Sequence, residues 1–113
     1  MVFPKEKLLL DSAKRKTIAE MDAEGWPAWS ITIDDPKEPT KTLADIVRRL
    51  RNAVAHGRLT FTSDSACLDD VGIIVEDKKR RKDPEPSWRA TIDGPRLRGF
   101  CLHFLDFIDD AIG

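Results

Sequence analysis

The sequence predicts an α+β fold that is mainly α-helical, with a small antiparallel β-sheet inserted before the C-terminal helix. Two segments with clear helical periodicity, residues 43–56 and 95–112, lie on either side of three short strand-like segments. The loops that join these strands are typical of an antiparallel meander. The 113 residues are enough for one hydrophobic core and too few for two, so residues 1–113 are predicted to form a single domain.

The first predicted helix covers residues 5–22, which are rich in good helix formers. Gly25 and Pro27 end it, because neither residue favours a helix interior. The proline-rich stretch that follows is predicted to be a connection that can hold one short strand, at the alternating residues 30–33, SITI.

The second predicted helix has the clearest core face in the chain. Thr40 or Thr42 is expected to cap it, and Asp45 follows Thr42 at the spacing of a capping box. The helix should end at His56, with Gly57 in the left-handed conformation that closes many helices. Its core face follows amphipathic spacing and comprises Leu43, Ile46, Val47, Leu50 and Val54.

Three strands and a final helix are predicted for the second half of the chain. The strands are the segments RLTFT, VGIIVED and SWRATI. Asp93 then opens the last helix, with Pro95 well placed in its first turn. A wide apolar stripe indicates burial on more than one side and comprises Leu97, Phe100, Cys101, Phe104, Leu105, Ile108 and Ile112.

The composition limits the classes of function. The formal net charge is −1, so any affinity for nucleic acid has to come from a local patch. No apolar run approaches the roughly 20 residues of a membrane span, and the N-terminus lacks the apolar core of a signal peptide, so a cytoplasmic protein without membrane contact is expected. Cys67 and Cys101 are predicted to be reduced thiols, one of them in the core. His56 and His103 lack partners at ligand spacing and the glycines are scattered, so neither a metal nor another cofactor is expected.

The stretch RRLRNAVAHGR, residues 48–58, could handle phosphate or could be only the exposed face of a helix. Asn52 and His56 are four residues apart and share one face, roughly opposite the core. Arg51 and His56 are separated by about 140° around the helix and about 7.5 Å along its axis. If both serve one site, a second copy of the helix has to take part, which predicts a dimer. In the structural alternative, the histidine is present because its cationic form suits the negative end of the helix dipole.

The segments LRNAVAHGRLTF and WRATIDGPRLRGFCLHFLDFI together resemble the HEPN superfamily (higher eukaryote and prokaryote nucleotide-binding domains). The mark of that superfamily is an arginine, usually followed by a polar residue, and a histidine near the helix end; Arg51, Asn52 and His56 fit it. The closer likeness is to small bacterial HEPN proteins with strands inserted before the last helix. The resemblance implies a HEPN-like helical bundle and a dimer whose motif helices flank a cleft. HEPN domains usually have four or more helices, whereas three are predicted here.

Many HEPN proteins are metal-independent ribonucleases in toxin–antitoxin, CRISPR or phage-defence settings. For that chemistry, His56 is expected to be the general acid/base, Arg51 the phosphate clamp and Asn52 the orienting group. Other members are catalytically silent, which implies a dimer that binds nucleic acid, nucleotide or protein. A third hypothesis is a structural subunit that pairs through the helix face around Leu102, His103 and Phe107.

Further cations are candidates for contacts with RNA. Arg48 or Arg49 is expected to bind flanking phosphates. A basic loop could contact the RNA backbone without sequence preference, although most such runs are only solvated, and it comprises Lys78, Lys79, Arg80, Arg81 and Lys82. The expected partners are therefore a second copy of the chain, RNA, and an antitoxin or other protein.

Overall fold

Four helices and a four-stranded sheet make up the part of the chain that the computed structural model describes, residues 4–63, 67, 70–80 and 82–112. In chain order the elements are α1 (Pro4–Arg15), α2 (Ile18–Ala23), β1 (Ser30–Ile33), α3 (Leu43–Ala55), β2 (Leu59–Phe61), β3 (Gly72–Asp77), β4 (Trp88–Asp93) and α4 (Gly94–Ile112). The predicted α+β class is confirmed.

The sheet has the strand order β1–β4–β3–β2, and each neighbouring pair is antiparallel. Strands β2, β3 and β4 follow one another along the chain and pair in that order. Strand β1 comes from before α3 and pairs with β4, with an irregularity between Ile31 and Ile33. The segment between α3 and α4 therefore supplies three of the strands, and the SITI segment supplies the fourth.

The prediction of one helix over residues 5–22 is wrong, because α1 ends at Arg15 and α2 begins at Ile18. Thr17 is extended and caps α2, its hydroxyl accepting the Glu20 N–H at 3.1 Å. The backbone on both sides of Thr17 bonds to the chain around the start of α3. Ile18 N–H donates to Lys41 O at 3.1 Å, and Leu43 N–H donates to Lys16 O at 2.8 Å. A continuous helix would leave those distant groups unpaired, so these two hydrogen bonds favour two separate helices.

The predicted ends of α3 are confirmed. Thr42 rather than Thr40 is the N-cap, and it forms both halves of a capping box with Asp45. At the other end, His56 is the C-cap and Gly57 has a φ of +66°. The Gly57 N–H bonds to Val54 O at 3.2 Å and the Arg58 N–H to Ala53 O at 2.8 Å, which is a complete Schellman motif.

The hydrophobic core lies on both sides of α3. One cluster joins α1, α2, α3 and α4 and includes Leu43, Ile46, Trp26 and Phe100. The other lies between α3 and the sheet and consists of Ala53, Val75, Trp88 and Ala90. Trp29 and Leu50 pack against both clusters and connect them. This double packing holds α3, and with it the residues of the motif, in a fixed position between helices and sheet.

Three predicted core positions are exposed: Val54, Cys101 and Leu105. Val54 is 63% exposed, because α3 turns Arg49 and Ala53 inward instead. Cys101 is exposed as well, and so is Cys67, so the prediction of one core cysteine is wrong. Helix α4 buries only one side of its apolar stripe, and Leu102 and Leu105 remain 52% and 58% exposed. No helix among the described residues is long and apolar enough to cross a bilayer.

Candidate functional site

The three motif residues lie on α3 but face different surroundings. Arg51 is exposed, Asn52 is half-buried, and His56 is exposed at the carboxyl end of the helix. Arg51 opens into one cavity, whereas His56 opens into another. Arg51 and His56 therefore do not come together within a single chain. Their separation around the helix predicts this result.

Arg51 lies in a groove between α1, α3 and α4 with a volume of about 560 Å³, called here the Arg51 groove. Most of the surface that lines it is apolar, although six of its thirteen lining residues are charged. The α3 side of the groove follows one helical face, Ala44, Val47 and Arg51. Its other lining residues are Glu6, Leu9, Leu10, Ala13, Lys14, Lys41, Thr42, Asp45, Arg48 and Phe104.

His56 lies in a second cavity of about 450 Å³, called here the His56 pocket. Ala55, Arg58, Lys78 and Lys79 complete its lining. Arg58 comes from the turn after α3, and the two lysines follow directly after β3. The pairing of β2 with β3 brings these segments together, since the Glu76 N–H bonds to Arg58 O at 3.1 Å. The arrangement places one arginine and two lysines around an exposed imidazole, which suits a phosphate oxygen.

Arg49 does not lie on the surface beside Arg48. Its side chain is buried, only 3% exposed, and its Nη1 lies 2.9 Å from Asp77 Oδ2. Its Nη2 lies 3.8 Å from Asp35 and 3.9 Å from Glu38. A guanidinium paired in this way is a structural group that joins α3 to β3, and it is not free to bind a flanking phosphate.

Asp77 also determines the position of Asn52. The Asn52 amide donates to Asp77 Oδ2 at 3.4 Å, so the same carboxylate oxygen accepts from both Arg49 and Asn52. Asp77 was not a candidate from the sequence, although its place directly before Lys78 was a signal. Glu76 and Asp77 end β3 beside this basic run, and Asp77, the buried one, is a natural partner for a buried arginine.

Asp35 anchors Lys79 at the edge of the His56 pocket. Lys79 Nζ lies 2.9 Å from Asp35 Oδ2, and the Lys37 backbone N–H donates to Asp35 Oδ1 at 2.9 Å. The Lys79 ammonium beside Asp35, followed by the hydrogen bond from the Lys37 N–H, holds the pKa of Asp35 below its ordinary value, with Arg49 adding to the effect and burial opposing it. Lys79 is thereby fixed in place although it is exposed.

The remaining predicted cations are placed as follows. Arg48 is partly exposed and pairs with Glu38 at 3.3 Å. Arg80 and Lys82 are exposed in the loop after β3, and Lys78 is half-buried. Arg81 lies outside the described residues. The first two lysines of the basic run therefore line the His56 pocket.

The other histidine and the tryptophans are structural. His103 Nδ1 lies 2.9 Å from Gly99 O, and the imidazole packs 5.5 Å from the Trp26 ring. Trp26 and Trp88 are buried, and the Trp88 indole N–H donates to Thr40 at 3.0 Å. Trp29 is half-buried against Phe100. Among the described residues, no three His, Cys, Asp or Glu side chains converge in a way that could hold a metal ion.

Comparison with known families assigns the chain to the HEPN superfamily. A family model described as HEPN pEK499 p136 matches residues 1–112. The chain belongs to this HEPN family, and the resemblance drawn from its motif and C-terminal helix is confirmed. Neither the curated proteins nor the solved structures gave a match.

Proposed function

We propose that this HEPN protein is a metal-independent endoribonuclease whose site is completed when two copies of the chain associate. One observation carries the proposal: Arg51 and His56 open into separate cavities on different sides of α3. A second α3 next to the first would bring the Arg51 of one copy towards the His56 of the other. Two-fold symmetry would then create two equivalent sites.

The exposed apolar surface supports association through the helical face. Leu8 and Leu10 on α1 and Leu102 and Leu105 on α4 are exposed, and Leu10 lines the Arg51 groove. The α3 strip that includes Arg51 continues to the exposed Val54. Exposed apolar side chains of this kind favour association, because covering them removes apolar area from water.

The proposed reaction is transesterification at an RNA phosphate. The 2′-oxygen attacks the adjacent phosphorus, the bond from phosphorus to the 5′-oxygen breaks, and the products are a 2′,3′-cyclic phosphate and a 5′-hydroxyl. A base takes the proton of the 2′-hydroxyl and an acid gives a proton to the leaving oxygen. His56 serves one of these proton transfers, and Arg51 stabilises the added negative charge on the phosphoryl oxygens.

The test is cleavage of labelled single-stranded and structured RNA in EDTA by the wild type and by His56→Ala. We expect only the wild type to cleave and to leave cyclic phosphate ends, with a loss of about 10²–10⁴-fold in the variant. His103→Gln is the control because this imidazole lies in neither cavity. Equal cleavage by wild type and His56→Ala would exclude this role for His56.

One observation favours an alternative, a HEPN dimer that binds nucleic acid, nucleotide or protein without cleaving RNA. The Asn52 amide is turned towards Asp77 and does not orient His56. The alternative predicts RNA binding that survives His56→Ala and weakens when salt is raised.

A toxin or phage-defence role in the cytoplasm belongs to the first proposal. It predicts growth arrest when the wild type is expressed and normal growth with His56→Ala.

A further inference from the structure

We propose that the His56 pocket is a preformed phosphate-binding site within a single copy of the chain, with Arg58 and Lys78 as its main ligands. This inference extends the proposed function in one respect, because it places an RNA phosphate beside His56. The affinity for phosphate, however, requires neither cleavage nor a second copy. Arg58, which lies outside the Arg-to-His motif, thereby becomes part of the phosphate site.

The backbone builds the pocket rigidly. The Schellman motif at Gly57 turns the chain from α3 directly into β2, and the hydrogen bond between Glu76 N–H and Arg58 O joins this turn to β3. Lys78 follows immediately after Asp77, the residue that the buried Arg49 holds. Main-chain hydrogen bonds and a buried ion pair therefore fix the backbone positions of Arg58 and Lys78, which reduces the entropy lost when a ligand binds.

The charges in the pocket are only partly compensated. Asp35 pairs with Lys79 at 2.9 Å. Within the part of the chain that the structure describes, neither Arg58 nor Lys78 has a side-chain hydrogen bond or a carboxylate within 4.0 Å. Two unpaired cations beside an exposed imidazole leave an excess of positive charge that an anion would balance.

Phosphate is the anion that fits this donor set. Arginine offers a planar fork of N–H donors and lysine a compact charge, and both are common ligands of phosphate oxygens. The volume of about 450 Å³ lies within the range of small-ligand pockets and leaves room for an attached sugar. The phosphate could belong to an internal phosphodiester of RNA or to a terminal phosphate monoester, and the two sources share this chemistry.

The test follows the two histidine ring signals by NMR while inorganic phosphate is added to the full chain. We expect the His56 signal to shift in a saturable way and the His103 signal to stay constant, since His103 packs on Trp26 away from the pocket. Arg58→Gln and Lys78→Gln should each weaken the response about tenfold or more, because each removes a charge-assisted hydrogen bond. Arg98→Gln, which removes an exposed cation of α4, is the matched control. An unchanged His103 signal shows that each variant is folded.

The source of the phosphate is tested with a 2′-O-methyl oligonucleotide, which cannot be cleaved, with and without a 5′-phosphate. An equal response to both indicates an internal phosphodiester, whereas a response to the phosphorylated form alone indicates a terminal group. Either result supports the phosphate site. The proposed site is overturned if the His56 signal does not respond to phosphate or if Arg98→Gln weakens the response as much as Arg58→Gln. An intact phosphate response without RNA cleavage would contradict the ribonuclease proposal alone.

Discussion

Arg48, Arg49 and Arg51 are close in sequence but differ in their roles. Arg49 is buried and bound to Asp77, Arg48 is partly exposed and pairs with Glu38, and Arg51 faces the groove. Removing one member of a buried ion pair costs much more stability than removing one member of an exposed pair, because the remaining charge stays desolvated and uncompensated. The three residues should therefore respond differently to the same substitution.

We expect Arg49→Ala to lower the free energy of unfolding by about 3–5 kcal/mol, since among the described residues it leaves the buried Asp77 carboxylate only the Asn52 amide as a partner. Arg48→Ala, the matched control, should cost less than about 1 kcal/mol because its ion pairs are solvated. Urea unfolding followed by circular dichroism measures both. Similar losses for the two variants would contradict a structural role specific to Arg49.

Asp35 makes the stability of the fold sensitive to acid. Its pKa is held below the ordinary value of 3.8 by Lys79 and by the Lys37 N–H, so the folded chain binds this proton less readily than the unfolded chain. Its contribution is complete above pH 3.8 and is lost as the pH falls through the lowered pKa. In urea unfolding at a series of pH values, Asp35→Asn should lose less stability than the wild type over that acid range.

Glu85→Gln is the control for this pH dependence, because Glu85 is exposed and has no ion pair with a described residue. It should keep the acid response of the wild type. If Asp35→Asn also keeps that response, Asp35 does not couple folding to pH.

At the scale of the elements, the turn after α3 decides where the His56 pocket forms. Gly57 has a φ of +66°, and a Cβ added there would meet nothing within 4 Å. The cost of a side chain at this position is therefore one of backbone conformation and not of steric clash.

Gly57→Ala should destabilise the fold by about 1–2 kcal/mol, whereas Gly57→Asn should cost less because asparagine tolerates the left-handed region better. Thermal unfolding measures the difference, and the His56 signal should shift only slightly if the turn is preserved. Equal losses for alanine and asparagine would mean that the left-handed conformation is not the cause.

The local signals in the sequence correctly predict the elements around this turn. The capping box at Thr42 and Asp45 and the glycine after His56 act within a few residues of each helix end, so they can be recognised without a fold. The break at Thr17 could not be recognised in this way. The break depends on two backbone hydrogen bonds between residues that are distant along the chain. Ile18 N–H bonds to Lys41 O, and Leu43 N–H bonds to Lys16 O.

At the scale of the whole molecule, the exposed leucines of α4 predict the oligomeric state. We expect the wild type to sediment as a dimer at micromolar concentration, and Leu102→Glu with Leu105→Glu to sediment as a monomer, because buried charges disfavour an apolar interface. Both residues are more than half exposed in the single chain, so the substitutions should not disturb its core.

Phe61→Glu is the control for this experiment, since Phe61 is equally exposed but lies on β2, at the edge of the sheet. It should leave the sedimentation of the wild type unchanged. A monomeric wild type would exclude the shared site, and loss of the dimer only in Phe61→Glu would move the interface to the sheet edge.

Local sequence patterns by themselves determined the α+β class, the bounds of α3 and the start of α4, because periodicity and capping act over a few residues. The resemblance to HEPN proteins identified Arg51, Asn52 and His56 as the motif, and the spacing of Arg51 and His56 indicated different faces of α3. Only the tertiary structure decided that Arg49 is buried, that Val54 and Cys101 are exposed, and that Arg58 joins Lys78 beside His56. The burial of Arg49 and the lining of the His56 pocket depend on β3 and the residues just after it, which are distant in sequence from α3 and supply the Asp77 carboxylate and the two lysines.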